Sequence, residues 1–125
     1  MPKTILIVDD EEMVVDITKR RLAQEGFLTI GVYDGEDALK VIQEGVVDLI
    51  ILDVEMPKMN GYVFLNESRK VPGAEKIPVI MLTAYESMEP IFRRHGVIEY
   101  LTKPLSFQVL LAKVRQILDA SDDKK

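Results

Sequence analysis

Three short apolar runs, Ile5-Leu6-Ile7-Val8, Leu49-Ile50-Ile51-Leu52 and Pro78-Val79-Ile80-Met81-Leu82, each stop at a polar residue and are separated by stretches of helical period. Short runs rich in Ile, Val and Leu, without polar alternation, suit strands buried on both faces of a parallel sheet. Two weaker runs, 28–32 (LTIGV) and 98–102 (IEYLT), mix apolar with polar residues and suit edge strands.

Helical patterns fill the intervals. Residues 11–25 place Val14, Ile17, Thr18 and Leu22 on one side and end near Gly26; Arg21 intrudes on that stripe, on a stem able to snorkel. Residues 35–44 carry Ala38, Leu39 and Ile42 between Asp34, an N-cap, and Gly45, a stop. Residues 61–70 carry Val63, Phe64 and Leu65, and 88–95 form a short candidate with Pro90 in the first turn. The clearest pattern is 106–119, where Phe107, Leu110, Leu111, Val114, Ile117 and Leu118 recur at helical spacing after a Ser106 cap.

Five strand-then-helix units predict an α/β fold: a doubly wound, five-stranded parallel sheet with helices on both faces in three α/β/α layers. Three interior and two edge strands give the order 2-1-3-4-5. The 125 residues suit one domain, expected over 1–119, with a polar tail at 120–125. The chain has no cysteine, which excludes disulfides, thiolate metal sites and a cysteine nucleophile; one His excludes a histidine-rich metal site. A net charge of −5 argues against nucleic-acid backbone binding by this chain. Without a signal-like N-terminus or a membrane-length apolar run, the expected location is the cytoplasm, with no membrane contact.

In an open parallel α/β sheet, ligands bind beyond the carboxyl ends of the strands. Asp9 and Asp10 follow the first run, Asp53 the central one, Thr83 the PVIML run, and Lys103 the last. Three carboxylates, a hydroxyl and an ammonium therefore converge on one sheet edge. Neighbouring carboxylates repel by about 4 kcal/mol for a pair 4 Å apart at an effective dielectric near 20. Such a cluster makes sense where a cation neutralises it, and oxygen-only ligands favour Mg²⁺ or Mn²⁺. A lysine and a threonine beside the ion suit a phosphoryl group, held on or beside a carboxylate that can act as nucleophile.

The set Asp9-Asp10, Asp53, Thr83-Ala84 and Lys103-Pro104, with Met56-Pro57 and Gly61 after the central Asp, resembles the receiver domain of two-component response regulators, over about residues 3–119. The resemblance implies a flavodoxin-like, chemotaxis-regulator-like phosphoacceptor that catalyses only its own phosphorylation and dephosphorylation and is otherwise no enzyme. Asp53 would accept phosphate from a histidine-kinase phosphohistidine. Asp10, Asp53 and the backbone carbonyl of Glu55 would ligate Mg²⁺, with Asp9 acting largely through water. Lys103 would pair with the phosphoryl oxygens, Thr83 would move to hydrogen-bond them, and Tyr100 would turn inward as Thr83 moves. The Lys103-Pro104 bond would be cis. The implied partners are a histidine kinase or phosphotransfer protein and a downstream effector or fused output domain, reached through a changed surface on the fourth helix, fifth strand and fifth helix. The chain would be a monomer or a weak, phosphorylation-dependent dimer. Glu55 and Tyr85 would border the site and tune water access, and Asn60 stands where the family often has Asp.

Other readings of the same residues compete. Asp9 or Asp10 alone fits a helix N-cap, Lys103 alone a surface lysine, Thr83 alone a strand end, and Tyr100 alone an edge-strand packing residue. His95 before Gly96 fits a helix C-terminus better than a phosphorelay histidine. A Mg²⁺-dependent phosphohydrolase with an aspartyl-phosphate intermediate would want a carboxylate two past the nucleophile, where Glu55 stands, but 125 residues leave no cap or large substrate loop. A flavin or nucleotide binder lacks a glycine-rich loop after the first strand.

Overall fold

A computed structural model describes residues 2–54, 61–83, 97–102 and 106–123, the side chains of Tyr62, Thr83, residues 97–100, Thr102 and residues 120–123 excepted. The strands are β1 (Thr4–Val8), β2 (Leu28–Val32), β3 (Leu49–Asp53), β4 (Val79–Thr83) and β5 (Val97–Thr102). The helices are α1 (Glu12–Gln24), α2 (Gly35–Gln43), α3 (Gly61–Ser68) and a C-terminal helix (Phe107–Asp123). A single 3₁₀ turn, Ala74–Lys76, has no counterpart in the sequence reading. The candidate helix 88–95 lies outside the described residues, as do Glu55, Tyr85, His95, Lys103 and Pro104.

The apolar runs become parallel strands in the order β2-β1-β3-β4, with β5 pairing in parallel beyond β4. The β4–β5 register shifts between Val79 and Ile80, leaving Ile98 as the extra residue on β5. β1 and β3 are buried along their whole length, whereas β2 at the edge is half-buried and exposes Leu28. Alternate side chains point to opposite faces. On one face Leu6, Val8, Ile50, Leu52, Val79 and Met81 pack with Ala38 and Ile42 of α2 and Phe64 and Leu65 of α3. On the other, Ile5, Ile7, Leu49, Ile51 and Ile80 pack with Val15 and Leu22 of α1 and Leu110, Val114 and Leu118 of the C-terminal helix. Each fully buried Val, Leu, Ile, Phe or Met among them contributes about 1.5–3 kcal/mol relative to exposure. Helices thus cover both faces of a parallel sheet, as the alternation predicts.

Caps behave as the residue types dictate. Asp34 Oδ1 accepts from the Asp37 N–H at 2.8 Å, Ser106 Oγ accepts from the Val109 N–H at 3.2 Å, and Gly45 closes α2 at φ 76°. Three expectations need correction. The buried face of α1 carries Val15 and Leu22, while Ile17 is 49% exposed. Val15 takes that place because its Cγ1 lies where a side chain on Gly31 of β2 would stand: a Cβ there would be only 2.4 Å away. In α3, Val63 is exposed while Phe64 and Leu65 are buried, since three consecutive helical residues cannot all face one sheet. The C-terminal helix runs to Asp123 rather than 119; neither Gly nor Pro follows Ile117 to stop it.

Candidate metal centre

The β1–β3 register pairs Val8 with Leu52, so the residues after them, Asp9 and Asp53, come level at the carboxyl ends of two adjacent strands. Both are 2% exposed. Asp10, one residue further, is exposed at the rim. One oxygen from each of Asp9, Asp10 and Asp53 lies within 4.8 Å of the others. Sequence reasoning leaves open an N-cap role for either aspartate of the pair, and the structure divides the work. Asp9 Oδ1 accepts from the Glu11 N–H at 3.0 Å and so shapes the turn into α1, while the N-cap position itself falls to Glu11, whose side chain makes no capping bond. The Asp9 N–H donates to the Val32 carbonyl at 3.3 Å, which ties the loop to β2.

Val54, the residue after Asp53, is anchored at both of its backbone groups. The Val54 N–H donates to the Leu82 carbonyl of β4 at 3.0 Å, and the Val54 carbonyl accepts from the Gly61 N–H at 2.9 Å. Asp53 pairs with Leu82, so Thr83 follows at the adjacent strand end; its backbone and that of Tyr100 on β5 are placed. Of the predicted site residues, the structure therefore brings Asp9, Asp10 and Asp53 together and sets the Thr83 backbone one strand away. Lys103 and Glu55 lie outside the described residues.

The donor set fits a hard divalent cation. All three donors are carboxylate oxygens, and two oxygens on opposite sides of one Mg²⁺ stand about 4.2 Å apart, so a 4.8 Å spread closes with small side-chain adjustments. Sequence reading missed a polar contact on the flank of this edge. Tyr33, just past β2, donates its hydroxyl to Asp16 Oδ1 of α1 at 3.3 Å. Its phenol is held above the ordinary 10.0 by partial removal from water, then by the Asp16 carboxylate, with Glu12 adding. An exposed Tyr and an exposed Asp separated by 17 residues carry no signal in the chain.

The comparisons with known proteins decide the family. The family model for the response regulator receiver domain matches residues 5–115. The chain belongs to the response regulator receiver domain family. Among relatives, it is 40% identical over 119 residues to the transcriptional regulatory protein CpxR of Klebsiella pneumoniae, covering 94% of this chain and 50% of that protein. The chain spans about half the length of the transcriptional regulators it matches. Among solved structures, a CheY-like receiver domain protein from Methanospirillum hungatei matches with TM-score 0.91 and 30% identity over 100% of both chains. The response regulator TrrA of Thermotoga maritima, crystallised with Mg²⁺ and BeF, matches with TM-score 0.80 and 36% identity over 91% of this chain and 97% of that one. Receiver domains bind Mg²⁺ at an acidic site, and the Asp9, Asp10 and Asp53 cluster of this receiver domain is consistent with it. Receiver domains of response regulators interact with histidine kinases. Among the described residues of this receiver domain, no helix is long and apolar enough to cross a membrane.

Proposed function

We propose that this receiver domain is a phosphoacceptor switch in which Asp53 takes a phosphoryl group from a histidine-kinase phosphohistidine. The observation that carries the reading is the convergence of Asp9, Asp10 and Asp53 at the ends of β1 and β3. A carboxylate oxygen of Asp53 attacks phosphorus, the N–P bond of the phosphohistidine breaks, and the leaving imidazole takes up a proton. Burial and the hydrogen bonds on either side of Val54 hold the Asp53 backbone still, so the nucleophile is positioned before the donor arrives. Asp10 and Asp53 would hold Mg²⁺, with the Glu55 carbonyl, and Asp9 would act through water; when bound, the ion offsets charge on the transferred oxygens. Mn²⁺ suits the same ligands. Lys103 would pair with the phosphoryl oxygens and Thr83 would donate to them, with Tyr100 following Thr83 inward.

The aspartyl phosphate adds charge and acceptor oxygens, and these bias the surface around β5 and the C-terminal helix. The complete sheet is read as five strands in the order 2-1-3-4-5, with that surface at one edge. The relatives are transcriptional regulators about twice as long, which supports a fused output domain as the target, a separate effector being the other form of the same switch. The chain would work in the cytoplasm and turn over no external substrate.

Intact mass after incubation with acetyl phosphate tests the reading, with and without Mg²⁺, on the wild type and Asp53→Asn. One Mg²⁺-dependent phosphoryl adduct, absent in Asp53→Asn, is the expected result. An adduct that persists in Asp53→Asn contradicts it, and repeated turnover of a generic phosphate ester would favour a phosphohydrolase instead.

A further inference from the structure

We propose that Gly61 is a positioning residue for Asp53, and that its missing side chain is what lets α3 close against the acceptor. The inference rests on reading Asp53 as the acceptor. Gly26, Gly45 and Gly73 have positive φ, where glycine relieves backbone strain; Gly61 is not among the positive-φ glycines, so its backbone conformation does not require it. Its surroundings do. A Cβ at Gly61 would lie 2.9 Å from Val54 Cα and 3.1 Å from the Asp53 carbonyl oxygen, with Met81 Sδ at 3.4 Å. The two closest atoms are backbone and cannot swing aside as a side chain can.

Val54 is already fixed at both of its backbone groups. Val54 donates to Leu82 at 3.0 Å and accepts from Gly61 at 2.9 Å, so β4 and the first residue of α3 grip it from opposite sides. An added methyl group must push α3 off, loosening the Gly61–Val54 bond, or push the 53–54 peptide, turning the Asp53 Cα. Either movement reaches a carboxylate that has to converge with Asp10 on one small ion, where ligand distances near 2.1 Å leave little slack. Misplacement of this kind lowers rate without abolishing the fold, and the expected loss for a shift of a few tenths of an ångström is about tenfold.

Gly61→Ala, Gly26→Ala and the wild type are compared in two readouts: the initial rate of adduct formation from acetyl phosphate at saturating Mg²⁺, and the Mg²⁺ dissociation constant from an NMR titration. Gly61→Ala should slow the adduct about tenfold and weaken Mg²⁺ binding. Gly26→Ala strains a φ of 96° with nothing within 4 Å of the new methyl, so it should lower the unfolding midpoint and leave both readouts at wild-type values. A folded Gly61→Ala with wild-type rate and affinity overturns the inference, as does an equal loss in Gly26→Ala. Should Gly61→Ala not fold, the wild type decides: Mg²⁺ should slow amide hydrogen exchange at Gly61, and unchanged exchange overturns the coupling. If the wild type takes no phosphoryl group, the acceptor reading fails, and the Mg²⁺ affinity of Gly61→Ala still decides the positioning.

Discussion

Asp9 and Asp10 are neighbours in the chain with opposite surroundings: Asp9 is buried and holds the Glu11 N–H, while Asp10 stands at the rim in solvent. The strand end makes the difference, since the last in-register pair is Val8 with Leu52 and the next residue inherits the interior. That both acids belong to one site with Asp53 was legible, because each follows a buried run; which of them caps the turn was not, because either side chain reaches. Tyr33 was also illegible, and it gives a test at this scale. Its phenol pKa is raised above 10.0, by partial removal from water first and then by Asp16. The neutral form is the one the fold favours, so the stability it contributes is present below pH 10.0 and lost as pH rises through the folded value. A ¹³C-tyrosine NMR titration should place Tyr33 above 10.0 in the wild type and closer to it in Asp16→Asn. Titration of Tyr33 at 10.0 in both would show that the Asp16 contact is not kept in solution.

Among the elements, α1 shows where periodicity stops being sufficient. Both Val14/Leu22 and Val15/Leu22 fit a helical stripe, and the choice is made on another element by Gly31, whose bare Cα leaves the space Val15 fills. Gly31→Ala puts a methyl group 2.4 Å from Val15 Cγ1 and 2.6 Å from Lys19 Cδ. Lys19 can bend away and the β-branched, fully buried Val15 cannot, so denaturant unfolding should report a loss of about 1–3 kcal/mol. A neutral effect would mean that α1 rides more loosely on β2 than this packing allows. Contacts from α1 to the C-terminal helix were likewise hidden: Arg21 sits 4.1 Å from the Phe107 ring centroid and Arg115 bonds Glu25 at 2.7 Å. The Arg115–Glu25 pair is exposed and adds at most about 1 kcal/mol. Arg21, read as an intruder on a core stripe, instead lies across an aromatic face, which suits a guanidinium. The 3₁₀ turn is braced by Arg69, which donates to the Ala74 and Ile77 carbonyls at 3.0 and 3.4 Å; burial lowers the pKa of its guanidinium.

For the whole molecule, the sheet was the most legible part because its signal is compositional: a strand covered on both faces has no polar alternation to hide. The same rule located the site, since only a parallel sheet gathers the residues after its apolar runs onto one edge. Clips between strands needed coordinates, such as Thr4 N–H to Asp48 Oδ2 at 2.8 Å with Asp48 N–H to the Thr4 carbonyl at 2.8 Å. The acid cluster has a consequence for stability. Three carboxylates within 4.8 Å repel one another in the folded state, so an ion binding only there should stabilise the fold. Mg²⁺ at one hundred times its dissociation constant should add about 2.7 kcal/mol to the unfolding free energy. Asp10→Asn should erase most of that gain; an equal gain in the variant would place the ion elsewhere.

In the proposed switch Asp53, and no other residue, carries the phosphoryl group. An acyl phosphate on aspartate is reduced by borohydride to homoserine, which marks the position permanently. After phosphorylation with acetyl phosphate and Mg²⁺, reduction and peptide mapping should find homoserine at position 53 and aspartate unchanged at 9 and 10. Homoserine at 9 or 10, or a phosphoryl group that survives on a hydroxyl, would contradict the account.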